Sequence, residues 1–223
     1  MIRCFDFGGE GILEKHHREL IAREGWVFLF PPGLLALVSL FWGGPLWLTA
    51  VLAVLALYVA YFFRNPYRQI AGDANAVVSP ADGKVVTVRQ LEDGRRQVSI
   101  FLNIFNVHVN RCPISGQTEE VTYSTGRFLA AYKEDASKVN ERNSIVICDG
   151  DFKVEVIQIA GLIARRIVCW INKGDRVEKG QRFGLIRFGS RVDLFLPEGC
   201  RVVVKPGQKV AGGSDIIAER PPS

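Results

Sequence analysis

Two uncharged apolar runs, residues 26–42 and 45–63, stand back to back with only Gly43-Gly44 between them. The second holds 19 residues, about 28 Å as a helix and close to the roughly 30 Å of bilayer hydrocarbon. Pro31-Pro32 interrupt the first run, and their preference for the first helical turn predicts a start there, leaving too few residues downstream for a full span. Arg3, Lys15, Arg18 and Arg23 precede the pair, Arg64 and Arg68 follow it, and the Gly-Gly turn carries no charge. Positive charge on both flanks predicts a hairpin that enters and leaves on the cytoplasmic side, either spanning or re-entrant. A late start and the second run exclude a cleaved signal peptide.

Ahead of the hairpin, residues 10–24 set Ile12, Leu13, Leu20 and Ile21 among Lys15, His16, His17, Arg18 and Arg23. This is the pattern of a short basic amphipathic helix, lying on a membrane surface or packed on the globular part. Adjacent His16 and His17 point to different helix faces, so they do not form a metal pair. The formal charge of +5 suits an anionic partner, and the neighbouring hairpin makes that partner lipid rather than nucleic acid. Cys4, Cys112, Cys148, Cys169 and Cys200 show no C-x-x-C spacing. They read as buried or free thiols of a reducing compartment, with no metal site and no disulfide framework.

From Asn65-Pro66 the texture changes to short β-branched or alternating runs at 84–88, 97–102, 107–111, 144–148, 153–159 and 163–170. The expectation is a mainly β, mostly antiparallel domain. Only 127–142 breaks the pattern, as a polar loop or lid. Gly174-x-x-Val177-x-x-Gly180 recurs 33 residues later as Gly207-x-x-Val210-x-x-Gly213. Two like turns, each glycine at positive φ and each valine in the core, fit a flattened β barrel resembling the barrel-sandwich hybrid of biotinyl and lipoyl carriers. The division is therefore 1–25 basic segment, 26–63 membrane hairpin and 64–223 β-rich domain.

Three places can carry chemistry. Gly189-Ser190 lies between the apolar runs 183–186 and 192–196, where glycine marks either a bulge or a carbonyl that a neighbouring hydroxyl can approach. Asp82 sits in the turn Ser79-Pro80-Ala81-Asp82-Gly83 ahead of a strand. His108 alternates with Asn106 and Asn110 on one strand face, a polar row that is either solvated or functional. A lone serine, histidine and aspartate suggest nucleophile, base and orienting carboxylate. A membrane-bound serine hydrolase is one outcome, although the G-x-S-x-G elbow is absent. Attack of Ser190 on the carbonyl of Gly189 itself is another. A third reading is a membrane-tethered adaptor or carrier with no chemistry of its own.

Gly189-Ser190 before Asp193-Leu-Phe-Leu-Pro197, Ser79-Pro-Ala-Asp82-Gly83, Asn106-Val-His108-Val-Asn-Arg111 and Asn140-Glu-Arg-Asn143 together resemble the short phosphatidylserine decarboxylase proenzymes, including relatives acting on archaeal lipids. The resemblance implies cleavage at 189/190 into a long chain 1–189 and a short chain 190–223 held as a heterodimer, with a higher oligomer left open. It implies a covalent pyruvoyl group made from Ser190, forming a Schiff base with the substrate amine, and no other organic cofactor. His108 would activate Ser190, Asp82 would hold the imidazole, and Arg127, Lys133, Asn140, Glu141 and Asn143 would contact the lipid or shield the site as polar loop residues. The implied reaction converts phosphatidylserine, or an archaeal serine phospholipid, to the ethanolamine lipid and CO2 at the cytoplasmic face of the cell membrane. Phe105 stands where the longer bacterial branch has a further histidine, and Phe188-Gly-Ser-Arg191 replaces its Leu-Gly-Ser-Thr. The resemblance thus assigns no donor for the proton that reaches the product carbon.

Overall fold

The structure is a computed structural model that describes residues 19–126, 140–161, 166–187 and 190–221. Two compact units are present, a helical one ending at Pro66 and a β-rich one beginning at Tyr67.

In the helical unit, α1 (Arg23–Phe41) and α2 (Leu46–Phe62) form an antiparallel pair. The turn closes where the Trp42 amide bonds Val38 O and Gly43 takes φ +69°. Ser39 Oγ and Thr49 Oγ1, 2.7 Å apart, tie the helices together. At the open end the entering and leaving chains pair side by side, through Ala22 N–H to Phe63 O at 2.9 Å and Asn65 N–H to Leu20 O at 2.7 Å. Two expectations change here. Pro31 and Pro32 lie inside α1, which starts eight residues earlier than the prolines suggest. The upstream turns are held by packing, because Phe28 stacks on Phe63 at 5.8 Å and Gly25 lies against the same ring, closer than any Cβ would allow. As a result α1 has 19 residues and the length and composition to cross a membrane, whereas α2 has 17. The second change concerns the basic helix expected over 10–24. Residues 19–22 are not helical, and Ile21 forms a β-bridge to Arg64. The rest of that segment, with His16, His17 and Cys4, lies outside the described residues.

The β unit begins with β1 (Ala76–Val78), β2 (Gly83–Gln90) and β3 (Arg96–Leu102). There follow β4 (Val109–Arg111), β5 (Gly116–Ser124), β6 (Arg142–Asp149), β7 (Phe152–Ile159), β8 (Ile167–Cys169), β9 (Arg176–Val177) and β10 (Arg182–Ile186). The chain ends with β11 (Ser190–Leu196), β12 (Arg201–Val202), β13 (Lys209–Val210) and β14 (Ile216–Glu219). An eight-stranded sheet in the order β13-β2-β3-β11-β7-β6-β5-β9 curls into a half-barrel, beside two three-stranded sheets, β1-β14-β12 and β4-β10-β8. All pairings among the described residues are antiparallel. The flattened barrel-sandwich expectation holds, and the four turn glycines take φ of +92°, +79°, +92° and +78° with Val177 and Val210 buried.

Pairing shows the barrel to be two intertwined copies of one seven-stranded motif. Strands β4 to β10 form one copy. Strands β1 to β3 and β11 to β14 form the other, interrupted between β3 and β11 by the whole of the first. The copies agree bond for bond. Gly174 N–H to Thr118 O (2.7 Å) matches Gly207 N–H to Val85 O (2.8 Å), and Gly180 N–H to Cys112 O matches Gly213 N–H to Ser79 O, both 2.8 Å. Val78 N–H reaches Pro113 O while Arg111 N–H reaches Pro80 O, a reciprocal exchange between the copies. In the continuous copy, Asp149 pairs with Phe152 and a tight turn closes the β6–β7 hairpin. The matching pair in the split copy is Leu102 with Ser190, and it closes on residues 103–189.

The core lies on the inner face of the large sheet, where Val98, Ile100, Ile145, Ile147, Val156, Val192 and Leu194 are all fully buried. The expected strands at 84–88, 97–102, 144–148 and 153–159 are present, 107–111 shortens to β4, β8 is the strand in the described part of 163–170, and β5 is among the additions. Its sequence, Gly-Gln-Thr-Glu-Glu-Val-Thr-Tyr-Ser, buries only Thr118 and so lacks an apolar alternation to read. The expected strand 144–148 lies within β6, which starts at Arg142, the last residue of the expected loop. The described cysteines are free thiols, Cys112 and Cys200 buried and Cys148 and Cys169 partly so. Gly184 is tightly enclosed, since a Cβ there would lie 2.2 Å from Val168 O in the neighbouring strand and 3.2 Å from the Gln158 amide nitrogen of the large sheet. Gly184→Ala is expected to destabilise the fold by about 1–3 kcal/mol, as overpacking does, read as a lower urea midpoint.

Candidate active site

Ser190 opens β11, and no atom of it reaches solvent. The sequence allows a bulge within one strand at this point. The structure instead ends β10 at Ile186 in the small sheet and starts β11 at Ser190 in the large one. Glycine and serine thus fall where the chain changes sheets, and the other crossing lies alongside. β3 ends at Leu102, opposite Ser190, while β4 begins at Val109, opposite Leu185. Between those two pairs the ladder opens, and His108 stands at the edge of the opening with its carbonyl accepting from Ile186 N–H at 3.3 Å. Gly189, with Phe188, lies outside the described residues, as do Arg127 and Lys133.

His108 is 2% exposed and sits just before β4, so in the expected polar row His108 and Asn110 face the interior while Asn106 is only partly buried. Its Nδ1 is 2.9 Å from the carbonyl oxygen of Asn106. A carbonyl can only accept, which places the ring proton on Nδ1 and the basic lone pair on Nε2. The turn carrying Asn106 is itself braced, with Asn103 N–H donating to Asn106 Oδ1 and Phe105 N–H to Asn103 Oδ1, both at 2.9 Å. Ser190 Oγ is buried and makes no hydrogen bond among the described residues. A buried hydroxyl is normally satisfied, and an exception signals strain or chemistry.

Asp82 has other company. The expectation has it holding the His108 imidazole, yet the ring proton goes to Asn106 O while Asp82 Oδ1 accepts from Gly212 N–H at 2.8 Å and Oδ2 from Arg68 at 2.7 Å. In the other copy Ser115 Oγ accepts from Lys179 N–H at 2.9 Å, so tying down the glycine turn is the duty of this position in both halves. Asp82 adds charge to that duty. Burial and then the nearby Arg182 and Arg68 push the Arg111 guanidinium down to about 10, with Asp82 acting in the opposite direction.

Asn140, Glu141 and Asn143 are not loop residues at a surface. All three are buried, and Asn140 and Asn143 bond internal partners. Asn140 Nδ2 donates to Ala160 O at 2.7 Å, and Asn143 Nδ2 donates to Gln158 Oε1 at 3.0 Å. The Tyr123 phenol is pushed up by burial and by its hydrogen bond to Glu141. Sequence reasoning passed over Gln158, although a glutamine continuing the inward series Val154, Val156 was a visible signal. On the opposite face of β11, buried Arg191 and Asp193 pair at 2.9 Å, and Gln97 Nε2 donates to Asp193 Oδ2 at 3.1 Å. No cluster of histidine, cysteine and acidic residues suited to a metal occurs among the described residues.

A duplicated barrel whose crossing point buries a serine and a histidine with its ring proton held on Nδ1 fits the class of an enzyme. The sequence profile of phosphatidylserine decarboxylase matches residues 55–218. A protein of Syntrophus aciditrophicus named phosphatidylserine decarboxylase proenzyme is 45% identical over 208 residues, covering 90% of this chain and 98% of its own. Proteins of the same name from Symbiobacterium thermophilum (47% identity; 92% and 97% covered) and Cupriavidus pinatubonensis (45%; 90% and 95%) agree. The chain belongs to the phosphatidylserine decarboxylase family.

Asp82→Ala removes a charged acceptor and is expected to cost about 1.5–3 kcal/mol, against about 0.5–1.5 kcal/mol for Ser115→Ala at the matching turn. Urea unfolding on the Ser190→Ala chain measures both, and an unmoved midpoint for Asp82→Ala would remove its anchoring role.

Proposed function

We propose that this protein is a self-processing decarboxylase that makes its own pyruvoyl group from Ser190 and converts phosphatidylserine to phosphatidylethanolamine and CO2. The observation that carries the proposal is the buried Ser190 hydroxyl, without a hydrogen bond among the described residues, at the one place where the split copy of the barrel must be rejoined. Family membership supports the reaction, and the names of the bacterial relatives favour phosphatidylserine over an archaeal lipid. Full burial of Ser190 argues against a hydrolase, which must bring an external ester to that oxygen.

In the processing step, Ser190 Oγ gives its proton to Nε2 of His108 and bonds to the carbonyl carbon of Gly189. The Gly189–Ser190 C–N bond breaks, the nitrogen takes the proton, and an ester links the two residues. Removal of the Ser190 α-proton expels the Gly189 carboxylate and leaves dehydroalanine. Its tautomer, an imine, exchanges nitrogen for oxygen with one water and releases ammonia. The site fits this chemistry, being dry, with a base whose tautomer is set by Asn106 O. The pyruvoyl group so made supplies a carbonyl that accepts the electrons of the breaking C–C bond. Asp82 serves by fixing Gly212 and balancing Arg68, and Arg127 and Lys133 remain candidates for the lipid phosphate.

Cleavage need not separate the chains. β11 is hydrogen-bonded to β3 and β7, β13 to β2 and β14 to β1, so residues 190–223 stay woven into 1–189 as a heterodimer. The apolar helix pair, flanked by Arg23 and Arg64, would hold the enzyme at the cytoplasmic face of the cell membrane. On a denaturing gel the purified wild type is expected as two chains, with Ser190→Ala and His108→Ala as one. Phosphatidylserine decarboxylation should be at least about 10³-fold lower in both variants, consistent with loss of a nucleophile or its base. Normal splitting of His108→Ala would reassign the base.

A further inference from the structure

Three buried amides form a single file that ends at Asn110. Asn143 Nδ2 donates to Gln158 Oε1 at 3.0 Å, and Gln158 Nε2 donates to Asn110 Oδ1 at 2.8 Å. The last group in the file, Nδ2 of Asn110, is buried and has no acceptor among the described residues. Asn110 and Gln158 are each 0% exposed, so water does not satisfy that donor, and leaving it unmet costs about 1–3 kcal/mol.

The file lies on the same side of the sheet as the Ser190 hydroxyl. Gln158 is directly opposite Val192 in the β7–β11 ladder, and Ser190 is two residues from Val192 on the same face. Asn110 approaches from β4, two residues after His108, through the gap left by Gly184, its own ladder partner. An unmet donor and an unmet hydroxyl therefore share one dry interior, beside the base.

The fold does not require these amides. In the other copy of the motif, Val77 occupies the position of Asn110 and Leu196 that of Gln158, both fully buried. Apolar side chains satisfy the same packing there, and the residue that corresponds to Ser190 under this match is Phe152, where the β6–β7 hairpin closes on a short turn and not on a scissile bond.

Building on the self-processing reading, we propose that Asn110 Nδ2 is the donor that stabilises the oxyanion formed on the Gly189 carbonyl oxygen when Ser190 Oγ attacks. As the Oγ–C bond forms and the proton passes to His108, the carbonyl π electrons move onto that oxygen and increase its demand for a donor. Collapse of the intermediate returns them as the C–N bond breaks, so the donor is fully used only in the transition state. Gln158 and Asn143 are positioning residues, holding the Asn110 oxygen so that its NH2 points onward.

The test follows the full-length precursor from cell-free synthesis on a denaturing gel. Asn110→Asp keeps the oxygen for Gln158 and deletes the donor. Asn110→Val installs the residue that the matching position already tolerates. Each is expected to cleave about 10²–10³-fold more slowly than wild type, the effect of losing one oxyanion donor. Thermal melting on the Ser190→Ala background confirms the fold of each, and Asn110→Val decides if the aspartate does not fold. The slow variants should remain full length in neutral hydroxylamine, because the block precedes the ester. Cleavage of folded Asn110→Val within about three-fold of wild type, well short of that range, would overturn the assignment. So would its rapid splitting by hydroxylamine, which would place the block after ester formation. A wild type that never cleaves would instead overturn the self-processing reading, with Ser190→Ala indistinguishable from it.

Discussion

The antiparallel pairing of β11 between β3 and β7 is the constraint on which the rest of the β unit depends. It joins the two copies of the motif across the middle of the large sheet. It also fixes the start of β11 opposite the end of β3, where a hairpin turn would ordinarily stand. Because one copy is inserted into the other, the chain must leave and re-enter at this point, and the two crossings lie side by side. His108 is on the outgoing crossing and Ser190 ends the returning one. The site is thus a consequence of topology, as two segments distant in sequence are brought together by the rule that a split hairpin still has to close.

The same topology explains how a chain could lose a peptide bond without losing its fold. The bond between residues 189 and 190 falls in sequence after the end of β10 and at the start of β11. Nearly every strand beyond it is paired with strands before it, so its breakage frees a chain end while the ladders persist. Polar groups on both faces of β11 add specificity. Arg191, Asp193 and Gln97 form a buried cluster on one face, and Ser190 with the amide file occupies the other. Buried ions and amides of this kind set register at some cost in stability, which suits a strand whose first residue must be held in place.

Much of this was legible in the residues. The apolar runs and the Gly-Gly turn announced the helix pair, and the recurring G-x-x-V-x-x-G announced the twin turns, because glycine at positive φ and a buried valine leave a local signature. Ser190 and His108 stood out as a lone hydroxyl beside glycine and a lone histidine on a strand. What escaped was set by tertiary contacts. The start of α1 depends on Phe28 and Gly25 meeting Phe63, which outweighs the local preference of Pro31-Pro32. β5 is held by its neighbours and not by its own pattern. Asp82 read as a catalytic aspartate, and its hold on the Gly212 turn emerges only when Ser115 is seen at the matching turn. Gln158 and Asn143 acquire meaning only once three strands place them in one file.

In the proposed function the protein breaks its own chain at the crossing point and keeps Ser190 as a transformed terminus. Intact mass of the short chain, released from the purified protein by denaturant, addresses that claim most directly. The account predicts a fragment corresponding to residues 190–223, lighter by the elements of ammonia than the same peptide with a free serine terminus. A single chain with the full mass of residues 1–223, in a preparation that decarboxylates phosphatidylserine, would contradict it.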